Sequence, residues 1–113
     1  MNKIEAIIRP ERLDAVKEAL AGAGFVGLNI VAVTGRGVQK GIVHAGRGGE
    51  EYRVDMLPKS KIELVVTDSE TDKAVNTIIE AARTGSIGDG KIFVSPVAQS
   101  IRIRTGETGD AVL

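Results

Sequence analysis

Thr84 to Phe93 reads TGSIGDGKIF, and its Gly85, Gly90 and Lys91 stand at fixed positions of the phosphate-cradling pattern G-x-x-x-x-G-K-[ST]. Glycines let backbone amides approach an anion, and a lysine adds charge, so the chemistry offered is the binding of a phosphate chain. Hydrolysis asks for more. A Walker A loop follows a strand and opens a helix, whose first amides and dipole hold the phosphates, and a Ser or Thr then takes magnesium. Here the apolar pattern predicts a helix before the loop and a strand after it, and Ile92 replaces the hydroxyl residue. That order argues against a hydrolytic P-loop. Two accounts of the loop remain: an anion nest needing no following helix, or a plain helix-to-strand turn. In the plain turn Gly85 is the helix C-cap, Gly88 or Gly90 has positive φ, and Lys91 is solvated.

Arg102 and Arg104 lie two apart in a predicted strand, Ser100 to Arg104. A strand places both on one face about 7 Å apart, with Ile101 and Ile103 directed into the core. Two planar guanidinium forks suit a di- or triphosphate, and a solvated strand face is the competing account. Lys59 and Lys61 share a face in the same way and serve equally as edge-strand charges. In GRGVQKG, Gly35, Gly37 and Gly41 permit close backbone approach, and Gln39 offers an amide oxygen to a hard metal ion; a strand-to-loop exit explains the segment as well. RGGEEYR sets Arg47, Glu50, Glu51, Tyr52 and Arg53 on a charged loop of the kind that contacts a partner or is modified. His44 reads as a solvated loop residue.

These residues must be positioned by a single domain. The chain has 113 residues and 42% hydrophobic content, enough for one ordinary core. Fifteen Lys and Arg balance fifteen Asp and Glu, so no overall field draws the chain to nucleic acid or to an anionic membrane. Without cysteine there is neither a disulfide nor a thiolate metal site, and one histidine cannot build a multi-histidine site. The apolar runs fall short of the roughly 20 residues of a membrane span, and MNKIEAIIRP has no signal-peptide apolar region, so a cytoplasmic protein is expected.

Lys3 to Arg9 is an apolar, β-branched strand pattern, followed by Pro10 at a position suited to a first helical turn. Leu13, Val16, Leu20 and Ala23 then recur at helical spacing until Gly22 and Gly24 stop them. Leu28 to Thr34 and Lys59 to Val66 read as the second and third strands. Thr67 with Glu70 forms a capping-box pattern before Ala74, Val75, Ile78, Ile79 and Ala82 at helical spacing. Lys91 to Val94 is a strand ending before Pro96, and residues 105–113 form a polar tail. KIEAII at Lys3 and KIELVV at Lys61 repeat, each leading into a helix and a further strand. Two such units make βαββαβ, an α+β ferredoxin-like sandwich with two helices on one face of an antiparallel sheet. The second and third strands are joined by a long glycine-bearing segment, 37–57, where a hairpin needs only about 2–5 residues.

KIEAIIRPERLDAVKEAL, GRGVQKG, LPKSKIELVV, ARTGSIGDGKIFV and IRIRTGETGDAVL together resemble the P-II nitrogen-regulatory signal-transduction proteins over essentially the whole chain. The resemblance implies a homotrimer with nucleotide sites in the clefts between neighbours. Gly88, Asp89, Gly90 and Lys91 would hold ATP or ADP phosphates with Arg102 and Arg104. Gly35, Arg36, Gly37, Val38 and Gln39 would lie along the nucleotide, and Asn29, Glu63 and Val65 around the adenine. Gln39 would complete a Mg2+ site shared with the triphosphate and 2-oxoglutarate, the latter also held by Lys40, Gly41 and Lys59. The 37–57 segment matches the family's T-loop, which docks on ammonium transporters and on nitrogen-metabolism enzymes such as glutamine synthetase. A membrane would then be met only through a transporter partner.

Two departures stand out. The T-loop here reads GRGGEEY, lacking the family's first tyrosine and carrying an extra residue, so Tyr52 remains as the candidate acceptor of uridylylation or adenylylation and Arg47 as the residue matching a pore-entering arginine. Many members carry Phe and Arg where this chain has Arg36 and Val38, which moves or removes one phosphate contact. An ATP-hydrolysing or phosphoryl-transfer enzyme built on Gly88 to Lys91 is the alternative; it needs a base, and Asp89 and Glu63 are the candidates. RNA binding also occurs on βαββαβ order, but the central strands lack the paired aromatics of that module.

Overall fold

Alternation in NKIEAII buries Ile4, Ala6 and Ile8 on one side of strand β1 (Asn2–Ile8) and leaves Lys3, Glu5 and Ile7 on the other. The computed structural model describes residues 1–36 and 56–113, together with the backbone alone of Val43–Ala45 and Glu51–Arg53. After β1 a short 3-10 turn with Pro10 at its first position leads into helix α1 (Leu13–Gly22). Strands β2 (Asn29–Arg36), β3 (Val43–Ala45), β4 (Glu51–Arg53) and β5 (Met56–Val66) follow, then helix α2 (Thr71–Ala82) and strand β6 (Gly90–Pro96).

The four long strands form one antiparallel sheet in the order β2-β5-β1-β6. This is the expected ferredoxin-like sandwich. Both helices cover the face carrying Ile4, Ile8, Ile62 and Leu64, and they add Val16, Leu20, Ala74 and Ile78 to one core. The duplicated KIE motifs pair with each other: Glu5 faces Glu63 across β1 and β5. Like charges directly opposite repel, and the flanking lysines offset them. Lys3 lies 3.3 Å from Glu5 and 3.8 Å from Glu63, and Lys61 lies 2.8 Å from Glu63 and 4.0 Å from Glu5.

Within the long connection, β3 and β4 pair in a ladder that sets His44 opposite Tyr52. The sequence pattern did not announce that ladder, because three-residue strands leave no alternation to read.

Three local expectations fail. Thr67 and Glu70 form no capping box: a 3-10 turn, Asp68–Glu70, precedes α2, and the Thr67 carbonyl accepts the Glu70 amide at 3.1 Å and the Thr71 hydroxyl at 3.0 Å. The tighter turn brings the backbone carbonyl to the amide that the side chain would have capped. Gly85 is not the C-cap of α2, which ends at Ala82 with Arg83 already extended; Gly85 lies farther on, at φ 91°. Ser100 to Arg104 is not a strand of the sheet. Residues 100–109 fold back on themselves through an Ile101 to Thr108 bridge, with the Arg102 amide donating to Glu107 O at 2.8 Å and the Gly109 amide to Ser100 O at 3.0 Å. Gly106 and Gly109 at positive φ reverse the chain there, and Ile103 is fully exposed instead of joining the core.

Candidate functional site

The glycine loop begins where α2 ends and finishes where β6 meets β1. Gly90 pairs with Ile8 at φ 106°, and a Cβ on it would stand 1.7 Å from the Ile7 carbonyl oxygen. Its identity is thus set by the approach of two strands. Gly88, at φ 103°, has the other backbone geometry that favours glycine.

Between these two glycines Asp89 gathers the loop around its carboxylate. Oδ2 accepts the amides of Thr84 at 2.8 Å and Gly85 at 2.9 Å, and Oδ1 accepts Arg9 Nε at 3.0 Å and the Thr84 hydroxyl. Hydrogen bonds from Thr84, then from Arg9 and Gly85, hold the Asp89 carboxyl well below the usual carboxylate range. A carboxylate so engaged is a poor general base. Glu63, the other candidate base, is also committed: its hydrogen bond from Lys61 and the nearby Lys3 charge lower its pKa, while Glu63 raises that of Lys61.

Lys59 reaches the loop from β5, donating to the Gly88 carbonyl at 2.8 Å. Burial, followed by the charge of Arg9, lowers the Lys59 pKa. Arg9 pairs with the loop carboxylate and Lys59 with the loop backbone, and Lys91 follows Gly90 in the sequence, so the loop carries basic side chains suited to an anionic ligand such as a phosphate chain or a dicarboxylate.

The sheet spreads the other described candidates along its length. Gly35 lies beside Lys59, where its absent Cβ would be 3.6 Å from the lysine stem. Asn29 pairs with Glu63, and Val65 continues the same face of β5. Lys91 is exposed on β6 and pairs with Ile7, whose other neighbour is Lys61. Arg36, at the end of β2, is exposed. Arg102 and Arg104 are not brought in: Arg102 pairs with Glu107 at 3.4 Å on the C-terminal turn, and among the described residues neither arginine bonds to the Gly88–Lys91 loop. Gly37, Val38, Gln39, Lys40, Gly41 and Arg47 lie outside the described residues, as does the side chain of Tyr52.

Comparison with known proteins matches residues 1–107 to the family model "Nitrogen regulatory protein P-II". The chain belongs to the P-II nitrogen regulatory protein family. It is 58% identical over 113 residues, the full length of both chains, to the nitrogen regulatory protein P-II of Klebsiella oxytoca. It is 59% identical over 107 residues, 95% of each chain, to that of Nostoc punctiforme, and 55% identical over 109 residues to nitrogen regulatory protein P-II 2 of Methanothermobacter thermautotrophicus, covering 96% of this chain and 94% of that one. Within this P-II chain, the site residue that motif reading missed is Arg9. It stands at the far end of the sequence from Asp89, and an arginine before a proline carries no spacing signal of its own.

Among the described residues no helix is long and apolar enough to cross a membrane.

Proposed function

We propose that this P-II chain is a non-catalytic sensor that binds ATP or ADP at Gly88 to Lys91 and 2-oxoglutarate with Mg2+ beside Lys59, and reports their occupancy through residues 37–57. The observation that carries the reading is the loop itself: its one carboxylate is engaged by Thr84, Gly85 and Arg9, and its Ile87 and Gly88 carbonyls are held by Arg9 and Lys59. Such a loop binds an anion without offering a base to activate water. Asn29, Gly35, Glu63 and Val65 lie on one face of the sheet, Gly35 beside Lys59 and Val65 toward the other end of β5, so in this reading the adenosine site is completed between neighbouring copies.

Bound Mg2+ would neutralise phosphate charge and join the triphosphate to 2-oxoglutarate, with Gln39 as its protein ligand. Lys59 would pair a carboxylate of 2-oxoglutarate, with Lys40 and Gly41 beside it.

The chain acts as a homotrimer in this reading. Support comes from the sheet face opposite the helices, where Phe93 is 54% and Val31 43% exposed around the neutral Lys3, Glu5, Lys61 and Glu63 cluster. A neighbouring copy would then supply Arg102 and Arg104, which the single chain does not bring to its own loop. A loop carrying ligand groups at its base shifts population when they are occupied; ammonium transporters and nitrogen-metabolism enzymes such as glutamine synthetase are the proposed targets.

Calorimetry tests this directly. ATP with Mg2+ should bind, and 2-oxoglutarate should bind measurably only in their presence; no 2-oxoglutarate binding at saturating MgATP would remove the sensing claim. A cell-extract pull-down compared between ADP and MgATP plus 2-oxoglutarate should change the captured transporter or enzyme.

A further inference from the structure

Arg9 follows β1 immediately before Pro10, which restricts it to extended backbone, and it adopts φ −62° and ψ 137°. Its guanidinium makes two bonds that bracket Gly88: Nε donates to Asp89 Oδ1 at 3.0 Å, and Nη2 donates to the Ile87 carbonyl at 2.8 Å. Lys59 takes the next carbonyl, that of Gly88, at 2.8 Å. Two consecutive carbonyls are thereby turned toward cations of the protein. In a trans peptide unit the N–H points opposite to the C=O, and the described residues contain no cis bond. The amides of Gly88 and Asp89 therefore point away from Arg9 and Lys59, the orientation an anion nest requires.

We propose that Arg9 is the positioning residue of this loop: by fixing Ile87 O and the Asp89 carboxylate at once, it orients the Gly88 and Asp89 amides toward a bound phosphate without touching the ligand. The inference rests on the anion-binding reading of the loop. Its geometry needs a planar fork, since a lysine ammonium supplies charge but does not match two acceptors held in fixed directions. Arg12, three residues on, is the internal contrast. Its guanidinium donates to the Ala81 carbonyl, at 2.9 Å through Nε, so it secures the end of α2 and not the loop.

The test compares wild type, Arg9→Gln, Arg9→Lys, Asp89→Asn, the Arg9→Gln/Asp89→Asn double variant and Arg12→Gln in the full chain. ATP affinity is measured by calorimetry, and thermal midpoint and amide hydrogen exchange at Thr84 and Gly85 are followed without ligand. Arg9→Gln and Arg9→Lys should each weaken ATP by about tenfold or more and speed exchange at both amides. The double variant should bind within about twofold of the weaker single variant, because both changes break one unit. Arg12→Gln should lower the thermal midpoint and leave ATP affinity unchanged. Wild-type ATP affinity in Arg9→Gln, full rescue by Arg9→Lys, or multiplying losses in the double variant would each overturn the proposal. If wild type binds no nucleotide, the anion-binding reading fails; exchange at Thr84 and Gly85 still decides whether Arg9 orders the loop, and unchanged exchange in Arg9→Lys overturns that too.

Discussion

The two halves of the duplicated fold leave their helices in different ways. After α1 the backbone closes its own turn: the Phe25 amide donates to Leu20 O at 2.8 Å and the Gly24 amide to Ala21 O at 3.0 Å, with Gly24 at φ 96°. That is a Schellman closure, complete within six residues. After α2 the chain leaves extended at Arg83, and the turn is closed by the Asp89 carboxylate together with Arg9, which follows β1, and Lys59 on β5. A turn closed by its own backbone has no spare groups for a ligand. A turn closed by side chains from elsewhere has its carbonyls occupied and its geometry tied to the rest of the sheet.

The strongest way to break the second turn is Gly90→Ala. The new Cβ meets the Ile7 carbonyl at 1.7 Å in a left-handed backbone, so stability measured by urea unfolding should fall by about 4 kcal/mol or the chain should not fold. Gly24→Ala probes the first turn. Nothing lies within 4 Å of its Cβ position, so only backbone strain is added, and unfolding should show a loss of about 1–2 kcal/mol with nucleotide affinity unchanged.

Acid distinguishes the turns next. A carboxylate whose folded pKa is depressed contributes stability above its unfolded value, and that contribution is lost as pH falls toward the folded value. Asp89 behaves this way. The thermal midpoint of wild type should drop from about pH 5 downward, and Asp89→Asn should flatten that drop while leaving the Gly24 turn untouched. The smallest effect lies outside both turns: Lys3→Ala, in the half-exposed ion cluster, should change unfolding free energy by less than about 1 kcal/mol and less still in high salt.

Much of this fold was legible because periodicity reports burial directly. Alternating Ile4, Ala6 and Ile8, and Ala74, Ile78 and Ala82 at helical spacing, name their own faces. The C-terminal IRIR segment shows the limit. Its alternation was as clean as that of β1, yet glycines after it turned the chain back and left Ile103 in solvent. The capping-box pattern at Thr67 failed for a related reason, since a 3-10 turn supplied a backbone acceptor first. At the site, Gly88, Asp89 and Lys91 were readable as a group because glycine, acid and lysine cluster in sequence. Arg9 was not, and the role of Asp89 as the loop's organiser was not.

By itself the sequence determined the family, the βαββαβ order, the buried faces of the strands and helices that form, and the presence of a glycine loop. Each follows from local spacing or from side-chain type. Only the tertiary structure decided that Gly90 yields to a neighbouring strand, that Asp89 is consumed within its loop, and that Arg9 and Lys59 turn the loop's carbonyls inward. Those outcomes depend on which strands lie side by side, and antiparallel pairing joins residues whose separation along the chain leaves no pattern to read.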